Sequence, residues 1–168
     1  SARVIRTATA RGFGLDFSKP GMDGSGKATL VEAGAPSAQT PGVLFEIDRG
    51  ELQHLDRAEG AGSGYDRIDR FRVFCHATGD VFSAMTYIAC KRDPDLPPFD
   101  WYLALVIAGS RHNTLHDSHQ ARLRAVNYVV DTDESREGRA AALRALSKHG
   151  YWQHQRLLGG KNQQARPS

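Results

Sequence analysis

Residues 52–65 read LQHLDRAEGAGSGY, a helical pattern that gives way to three closely spaced glycines. Leu52 and Leu55 lie three residues apart, so they would share one face of a helix. The helix is expected to stop at Gly60, because glycine readily adopts the left-handed backbone conformation that ends helices. Glu59 therefore falls at the carboxyl end of the predicted helix, beside a loop that has almost no side-chain bulk.

Strands are predicted on both sides of this helix. Short runs rich in β-branched and aromatic residues, separated by loops of glycine, proline and aspartate, are typical of strands. Helices are predicted after the strands, over residues 99–107 and from Ser135 to about His149. This order indicates an α+β fold, with a small, mixed, twisted sheet that is barrel-like and has helices at its flanks. The strand candidates lie around residues 4–5, at 13–17, 28–31 and 42–47, and in a hairpin of 65–77 with 81–89.

The length of 168 residues suits a single domain. We expect that domain to cover residues 1–158, and the polar residues 159–168 to form a flexible tail. No apolar run approaches the roughly 18 residues that suggest a membrane-spanning helix. The start of the chain also lacks the apolar core of a secretory signal. With only two cysteines, too few for a disulfide framework, the sequence favours a cytoplasmic location and no membrane partner.

The distribution of charge argues against a nucleic-acid partner. The chain has 22 lysines and arginines against 19 aspartates and glutamates, which gives a net charge of +3. The two signs are interspersed, as in the neighbours Asp66 and Arg67. Because a nucleic-acid binder concentrates its basic residues on one face or stripe, a mixed solvated surface is the better interpretation.

Three histidines have the spacing of a possible metal site, namely His112, His116 and His119. Intervals of four and three residues would place them on one face of a continuous helix. Asn113 and Thr114 interrupt the apolar pattern, however, so the helix is expected to end there. The sequence therefore predicts solvent-exposed histidines, no metal site and no cofactor.

Three segments, in order and at plausible spacings, resemble the γ-glutamylcyclotransferase-like (AIG2-like) family. The first is LDRAEG at residues 55–60 with SGY at 63–65, and the second is the double-proline segment PPFDWY at 97–102. The third is VIAGSRHN at 106–113, similar to a helix that ends near Gly-Ala-Arg in the family. An early strand, GFGLDF at 12–17, is also similar. The likeness covers most of the chain from Val4 to about Leu123, and it implies the fold of that family.

The chain departs from the family pattern at its start. The family opens with a strand and a Tyr-Gly-Ser-Asn loop that cradles the γ-glutamyl group. No Tyr-Gly-Ser-Asn occurs here, and the sequence begins about where the second strand of the family begins. Two explanations are open: the start has been lost by truncation, or the strand and its cradle are absent. We favour truncation, because Glu59 and Tyr102 would have little reason to persist together in an inactive remnant.

The resemblance implies a cofactor-free enzyme that forms 5-oxoproline. The α-amine of a γ-glutamyl compound attacks its own γ-carbonyl, and the attached amine or amino acid is released. A carboxylate must take a proton from the substrate ammonium and return one to the leaving nitrogen. Glu59 is the expected catalytic acid and base. The expected substrate-binding residues are Tyr65, Tyr102, Gly12, Gly14 and Gly64.

An alternative interpretation is a non-catalytic member of the same fold that binds a small ligand or a protein. The expected partner is a small-molecule γ-glutamyl substrate, and a homodimer is possible. The sequence leaves the identity of the γ-glutamyl compound open.

Overall fold

The computed structural model describes residues 2–35 and 37–162. Within these ranges the chain forms six strands, one α-helix between the fourth and fifth strands, and three α-helices after the last strand. This is the order that the sequence predicts for an α+β fold. Two 3-10 helices lie at Arg49–Glu51 and His154–Leu157. The strands are β1 Arg3–Arg11, β2 Phe13–Pro20, β3 Gly26–Glu32, β4 Gln39–Glu46, β5 Tyr65–Phe74 and β6 Val81–Ala89, and the helices are α1 Leu52–Glu59, α2 Asp100–His112, α3 Asp117–Arg124 and α4 Glu137–Lys148.

The strands form two antiparallel sheets. One has the order β4-β1-β5-β6, and the other is the β2–β3 hairpin. Strands β1 and β5, in the middle of the larger sheet, are joined through a single registered pair, Thr9 with Phe74. Within the described residues the edge strands β4 and β6 do not pair with each other, so the sheet is twisted but not closed into a barrel. The hairpin is held beside β6 by the amide of Ala89, which donates to Thr29 Oγ1 at 3.0 Å.

Helix α2 is the centre of the hydrophobic core. Leu103, Ala104 and Ile107 are each 0% exposed and lie on the face that a spacing of three and four residues creates. They pack against Phe17 of β2 and against buried leucines of α3, α4 and the second 3-10 helix. Since each buried leucine or isoleucine contributes about 1.5–3 kcal/mol, α2 is a rigid support for the residues at its N-terminus.

A buried polar network fixes the first turn of α2. Asp100 Oδ2 lies 2.8 Å from His154 Nε2, and Asp100 Oδ1 accepts from the amide of Asp131 at 3.1 Å. Asp131 in turn accepts from Trp101 Nε1 at 2.8 Å and from Arg136 Nε at 2.7 Å. Every carboxylate here has a hydrogen-bond partner, which offsets the cost of burying its charge. The network thereby holds the next residue of α2, Tyr102, in a defined position.

The structure corrects two expectations for the second half of the chain. Residues 117–124 form a helix that the sequence analysis did not predict, although α2 does end at His112, as expected. His119 lies on the inner face of α3 and is 5% exposed, so the prediction of an exposed histidine is wrong at this position. The polar composition of α3 hides its helical period, because only His119 and Leu123 are buried.

The last described residues are hydrogen-bonded to the domain. The amide of Gly159 donates to Arg124 O at 3.0 Å, and the amide of Tyr128 donates to Lys161 O at 3.1 Å. The tail expected from residue 159 thus begins within a hydrogen-bonded segment, and residues 163–168 lie outside the described ranges. In the part of the chain that is described, no helix combines the length and apolar character needed to cross a bilayer.

Candidate active site

Glu59 is the last residue of α1, and the loop after it is held together by hydrogen bonds to the carbonyl group of Gly60. Gly60 has φ 64°, the left-handed conformation that the sequence predicts at the end of this helix. Its carbonyl accepts from the amides of Ser63 at 3.0 Å and Gly64 at 2.8 Å, and from Ser63 Oγ at 3.1 Å. Gly64 consequently folds back against Glu59: a Cβ on Gly64 would lie 3.5 Å from the carbonyl oxygen of Glu59.

The hydroxyl groups of Tyr65 and Tyr102 meet at one residue of β3. Tyr65 donates its hydroxyl proton to Ala28 O at 2.9 Å, whereas Tyr102 Oη accepts from the Ala28 amide at 3.0 Å. The two tyrosine hydroxyls therefore differ in the hydrogen bonds that they can still form. Tyr102 keeps its own proton for another partner, and Tyr65 keeps its lone pairs as acceptors.

The charge of Glu59 acts on both tyrosines. Burial raises the pKa of Tyr65, and the charges of Tyr102 and Glu59 raise it further. The pKa of Tyr102 is also raised, by burial above all and by Glu59, against the lowering effect of its hydrogen bond to Ala28. Both hydroxyls thus stay protonated at neutral pH. Three residues that the sequence predicts for the site, Glu59, Tyr65 and Tyr102, are thus within electrostatic range of one another.

Glu59 itself is half-buried and faces a groove of about 960 Å³ between α1, β4 and β6. Leu52, Leu55 and Tyr87 line this groove beside it. Within the described ranges, the Glu59 carboxylate forms no hydrogen bond or ion pair. A half-buried carboxylate that is free of protein partners can exchange a proton with a bound molecule.

One turn earlier in α1, Asp56 anchors the helix to the sheet. Its Oδ2 lies 2.6 Å from Arg67 Nη1, and its Oδ1 accepts from Tyr87 Oη at 2.6 Å. Burial, the bond to Asp56 and its charge raise the pKa of Tyr87 to about 12, and Glu59 adds to this effect. This cluster was not predicted from the sequence. The interval of three residues between Asp56 and Glu59, which places both on one side of a helix, was the available signal.

Two lysines of the β2–β3 hairpin, also missed, stand over the tyrosine rings. Lys19 Nζ lies 4.9 Å from the ring centroid of Tyr65, and Lys27 Nζ lies 4.7 Å from that of Tyr102. Lys27 is paired with Asp23 Oδ2 at 2.7 Å. Burial tends to raise the pKa of Asp23, but the hydrogen bonds from Lys27 and Ser25 hold it below its ordinary value.

Gly12 and Gly14 are not part of this group. Gly12 forms the turn between β1 and β2, where its amide donates to Ala38 O at 2.8 Å. Gly14 lies five residues before Lys19, roughly 16 Å away along an extended strand. It lines a different cavity, of about 200 Å³, together with Arg122 and His119. The substrate-binding role expected for the two glycines stays a prediction.

The described residues contain no group of three or more histidine, cysteine, aspartate or glutamate side chains arranged to hold a metal ion. The residues around Glu59 are instead suited to proton transfer and hydrogen bonding. They combine a carboxylate, two protonated phenols and two ammonium groups around a glycine-lined loop.

Comparison with known proteins identifies the family. A model described as the AIG2-like family matches residues 40–123, half of the chain. The chain belongs to the AIG2-like family. This confirms the resemblance noted in the sequence, and the matched segment includes Glu59, Tyr65 and Tyr102, whereas Gly12 and Gly14 precede it.

The AIG2-like protein also has similar relatives of known name. A curated human gamma-glutamylcyclotransferase is 25% identical to it over 131 residues, which cover 75% of this chain and 68% of the relative. A solved gamma-glutamyl cyclotransferase is 23% identical, with a TM-score of 0.75 over 86% of both chains. A solved uncharacterized human protein, at 24% identity, has the same TM-score and coverage. The structure of YkqA from Bacillus subtilis gives a TM-score of 0.61 at 17% identity, over 73% of this chain and 45% of YkqA. These structures confirm the α+β fold.

Proposed function

We propose that this AIG2-like protein is a γ-glutamylcyclotransferase-type lyase, with Glu59 as its general acid and base. It would convert a small γ-glutamyl amide or amino acid into 5-oxoproline and release the attached amine. One observation carries the proposal: Glu59 is half-buried, has no partner among the described residues, and acts electrostatically on two tyrosines that share Ala28. The name of the human relative supports the same reaction class.

The first step needs a free amine. The α-amine of a γ-glutamyl compound is an ammonium at neutral pH, and Glu59 takes one of its protons. The amine nitrogen then forms a bond to the γ-carbonyl carbon within the same molecule. Because the attack is intramolecular, the protein has mainly to fold the substrate so that the two atoms meet.

The second step breaks the original amide bond. Negative charge develops on the γ-carbonyl oxygen, and the unused proton of Tyr102 is available to stabilise it. Glu59 returns its proton to the leaving nitrogen, and the carbon–nitrogen bond of the amide breaks. The ring nitrogen loses its surplus proton through Glu59, and the released amine takes that proton up as an ammonium. No electron acceptor or cofactor enters this balance.

The test is a measurement of 5-oxoproline release from a panel of γ-glutamyl amides and γ-glutamyl amino acids. Glu59→Gln keeps the size of the side chain but removes the proton transfer, so the rate should fall by about 10²- to 10⁴-fold. Glu134→Gln is the matched control, because Glu134 is exposed and outside the site. Undiminished turnover by the Glu59→Gln protein would exclude Glu59 as the acid and base. Binding of γ-glutamyl compounds without any product would favour the non-catalytic alternative.

A further inference from the structure

The β2–β3 hairpin places two positive charges directly opposite each other. Lys19 and Lys27 are registered partners across the two strands. Like charges at such positions destabilise strand pairing, so their presence calls for a compensating negative charge. Lys27 has one in Asp23, at 2.7 Å. For Lys19, residues 2–35 and 37–162 supply no carboxylate in an ion pair.

The ammonium of Lys19, which forms no ion pair within the described ranges, lies at the loop that follows Glu59. A Cβ on Gly64 would be 3.2 Å from Lys19 Nζ and 3.5 Å from the carbonyl oxygen of Glu59. The ammonium and the end of α1 therefore border the same small space, which the lack of a side chain at Gly64 leaves open. The ring of Tyr65, 4.9 Å from Lys19 Nζ, holds the ammonium in this position through a cation–π contact.

A γ-glutamyl compound brings a negative charge to this region. Its α-carboxylate is attached to the same carbon as the α-amine, and the amine has to come within hydrogen-bonding distance of Glu59. The carboxylate must consequently lie within a few ångströms of that point. Lys19, beside the loop that follows Glu59, is a cation of this region that has no carboxylate in an ion pair among residues 2–35 and 37–162. A charge-assisted hydrogen bond between an ammonium and a carboxylate is among the stronger contacts available in proteins.

From this arrangement we propose that Lys19 binds the α-carboxylate of the substrate and so selects γ-glutamyl compounds over amides that lack this group. Because this role of Lys19 rests on the proposed function, its test has to separate binding from turnover. Lys19 is a specificity-determining residue here, whereas Lys27, neutralised by Asp23, serves the hairpin itself.

The kinetic experiment compares two substrates that differ only in the α-carboxylate. These are a γ-glutamyl amide and the 4-aminobutanoyl amide of the same amine, which cyclises to 2-pyrrolidinone instead of 5-oxoproline. In Lys19→Met, KM for the γ-glutamyl amide should rise about 10- to 100-fold, the range expected for a lost hydrogen bond to a charged group. The kcat value and the reaction of the 4-aminobutanoyl amide should change little.

Two further variants serve as controls. Lys19→Arg keeps the positive charge and should keep the preference for the γ-glutamyl amide. Lys148→Met removes an exposed lysine at the end of α4 and should leave both substrates unaffected. Thermal unfolding of each variant shows whether it is folded.

The binding experiment uses the two products and needs no turnover. 5-Oxoproline retains the carboxylate, whereas 2-pyrrolidinone is the same ring without it. In NMR titrations, the wild-type protein should bind 5-oxoproline at least 10-fold more tightly, and Lys19→Met should remove that difference.

The outcomes distinguish the two proposals. Lys19-dependent binding of 5-oxoproline without any turnover would refute the lyase and retain the role of Lys19. Turnover by a Lys19→Met protein that still prefers the γ-glutamyl amide as strongly as the wild type would refute the role of Lys19 and retain the lyase. Equal binding of both rings by the wild-type protein would also refute it.

Discussion

The opposite hydrogen-bonding roles of Tyr65 and Tyr102 lead to a prediction about two apparently equivalent substitutions. Each variant, Tyr65→Phe or Tyr102→Phe, removes one hydroxyl, and each hydroxyl forms one hydrogen bond to Ala28, at 2.9 Å and 3.0 Å. In the proposed reaction, however, only Tyr102 has a proton left for the γ-carbonyl oxygen of a substrate. We therefore expect the two variants to differ in activity far more than in stability.

The expected magnitudes follow from what each variant leaves unpaired. In Tyr102→Phe the Ala28 amide loses its acceptor, which should lower the free energy of unfolding by about 1–3 kcal/mol. In Tyr65→Phe the Ala28 carbonyl loses a donor, and the cost should be about 1 kcal/mol. The loss of a hydrogen-bond donor to a developing oxyanion typically lowers kcat by about 10²- to 10³-fold, and this applies to Tyr102→Phe alone. For Tyr65→Phe we expect a change of kcat below about 10-fold.

Steady-state release of 5-oxoproline gives kcat for both variants, and urea unfolding gives their stabilities under the same conditions. Measuring both kcat and the free energy of unfolding distinguishes the loss of a catalytic proton from a destabilisation of β3. If Tyr65→Phe lowered kcat as strongly as Tyr102→Phe, the assignment of the free proton to Tyr102 would be wrong. A Tyr102→Phe protein that retained kcat would refute its role at the oxyanion.

Two other predictions concern the supports of the site. Asp56→Ala leaves Arg67 and Tyr87 without their shared acceptor. The free energy of unfolding, measured by urea titration, should therefore fall by about 2 kcal/mol. An unchanged value would show that Asp56 does not anchor α1 to the sheet. Burial tends to raise the pKa of Asp100, but His154 and backbone amides hold it below its ordinary value. The unfolded state then takes up a proton more readily than the folded state, so this stabilisation is present above about pH 4 and is lost as the pH falls through the folded pKa. Urea unfolding between pH 7 and pH 3 should accordingly show a weaker pH dependence in Asp100→Asn than in the wild type, and identical slopes would contradict the assignment.

Local patterns were sufficient to predict the end of α1 and the position of Glu59. The helix period of Leu52 and Leu55 and the glycines after Glu59 act within about a dozen residues, and the observed Gly60 conformation matches them. The hairpin of β5 and β6 was likewise readable from its turn and its apolar runs. Such features are decided by backbone sterics and periodicity, which a single sequence displays directly.

The features that the sequence did not disclose depend on contacts between distant segments. Lys19 contacts the ring of Tyr65, which lies 46 positions later in the chain. The residues next to Lys19 in the sequence form no motif that would predict this contact. The same holds for the bond between Asp56 and Tyr87, with a separation of 31 residues. Closure of the sheet was also unpredictable, because it depends on whether the edge strands β4 and β6 pair with each other and not on the pattern within either strand.

The position of Ala28 between the two tyrosines shows how a single strand sets the geometry of the proposed site. Both of its hydrogen bonds use backbone atoms, so they depend on the path of β3 and not on the side chain at this position. That path is fixed by the pairing of β3 with β2 and by the bond from Ala89 to Thr29. The hydroxyls of Tyr65 and Tyr102 are therefore positioned by the same hairpin that carries Lys19. A change that shifts the register of β2 against β3 would displace the proton donor and the ammonium together, even with every proposed catalytic side chain intact.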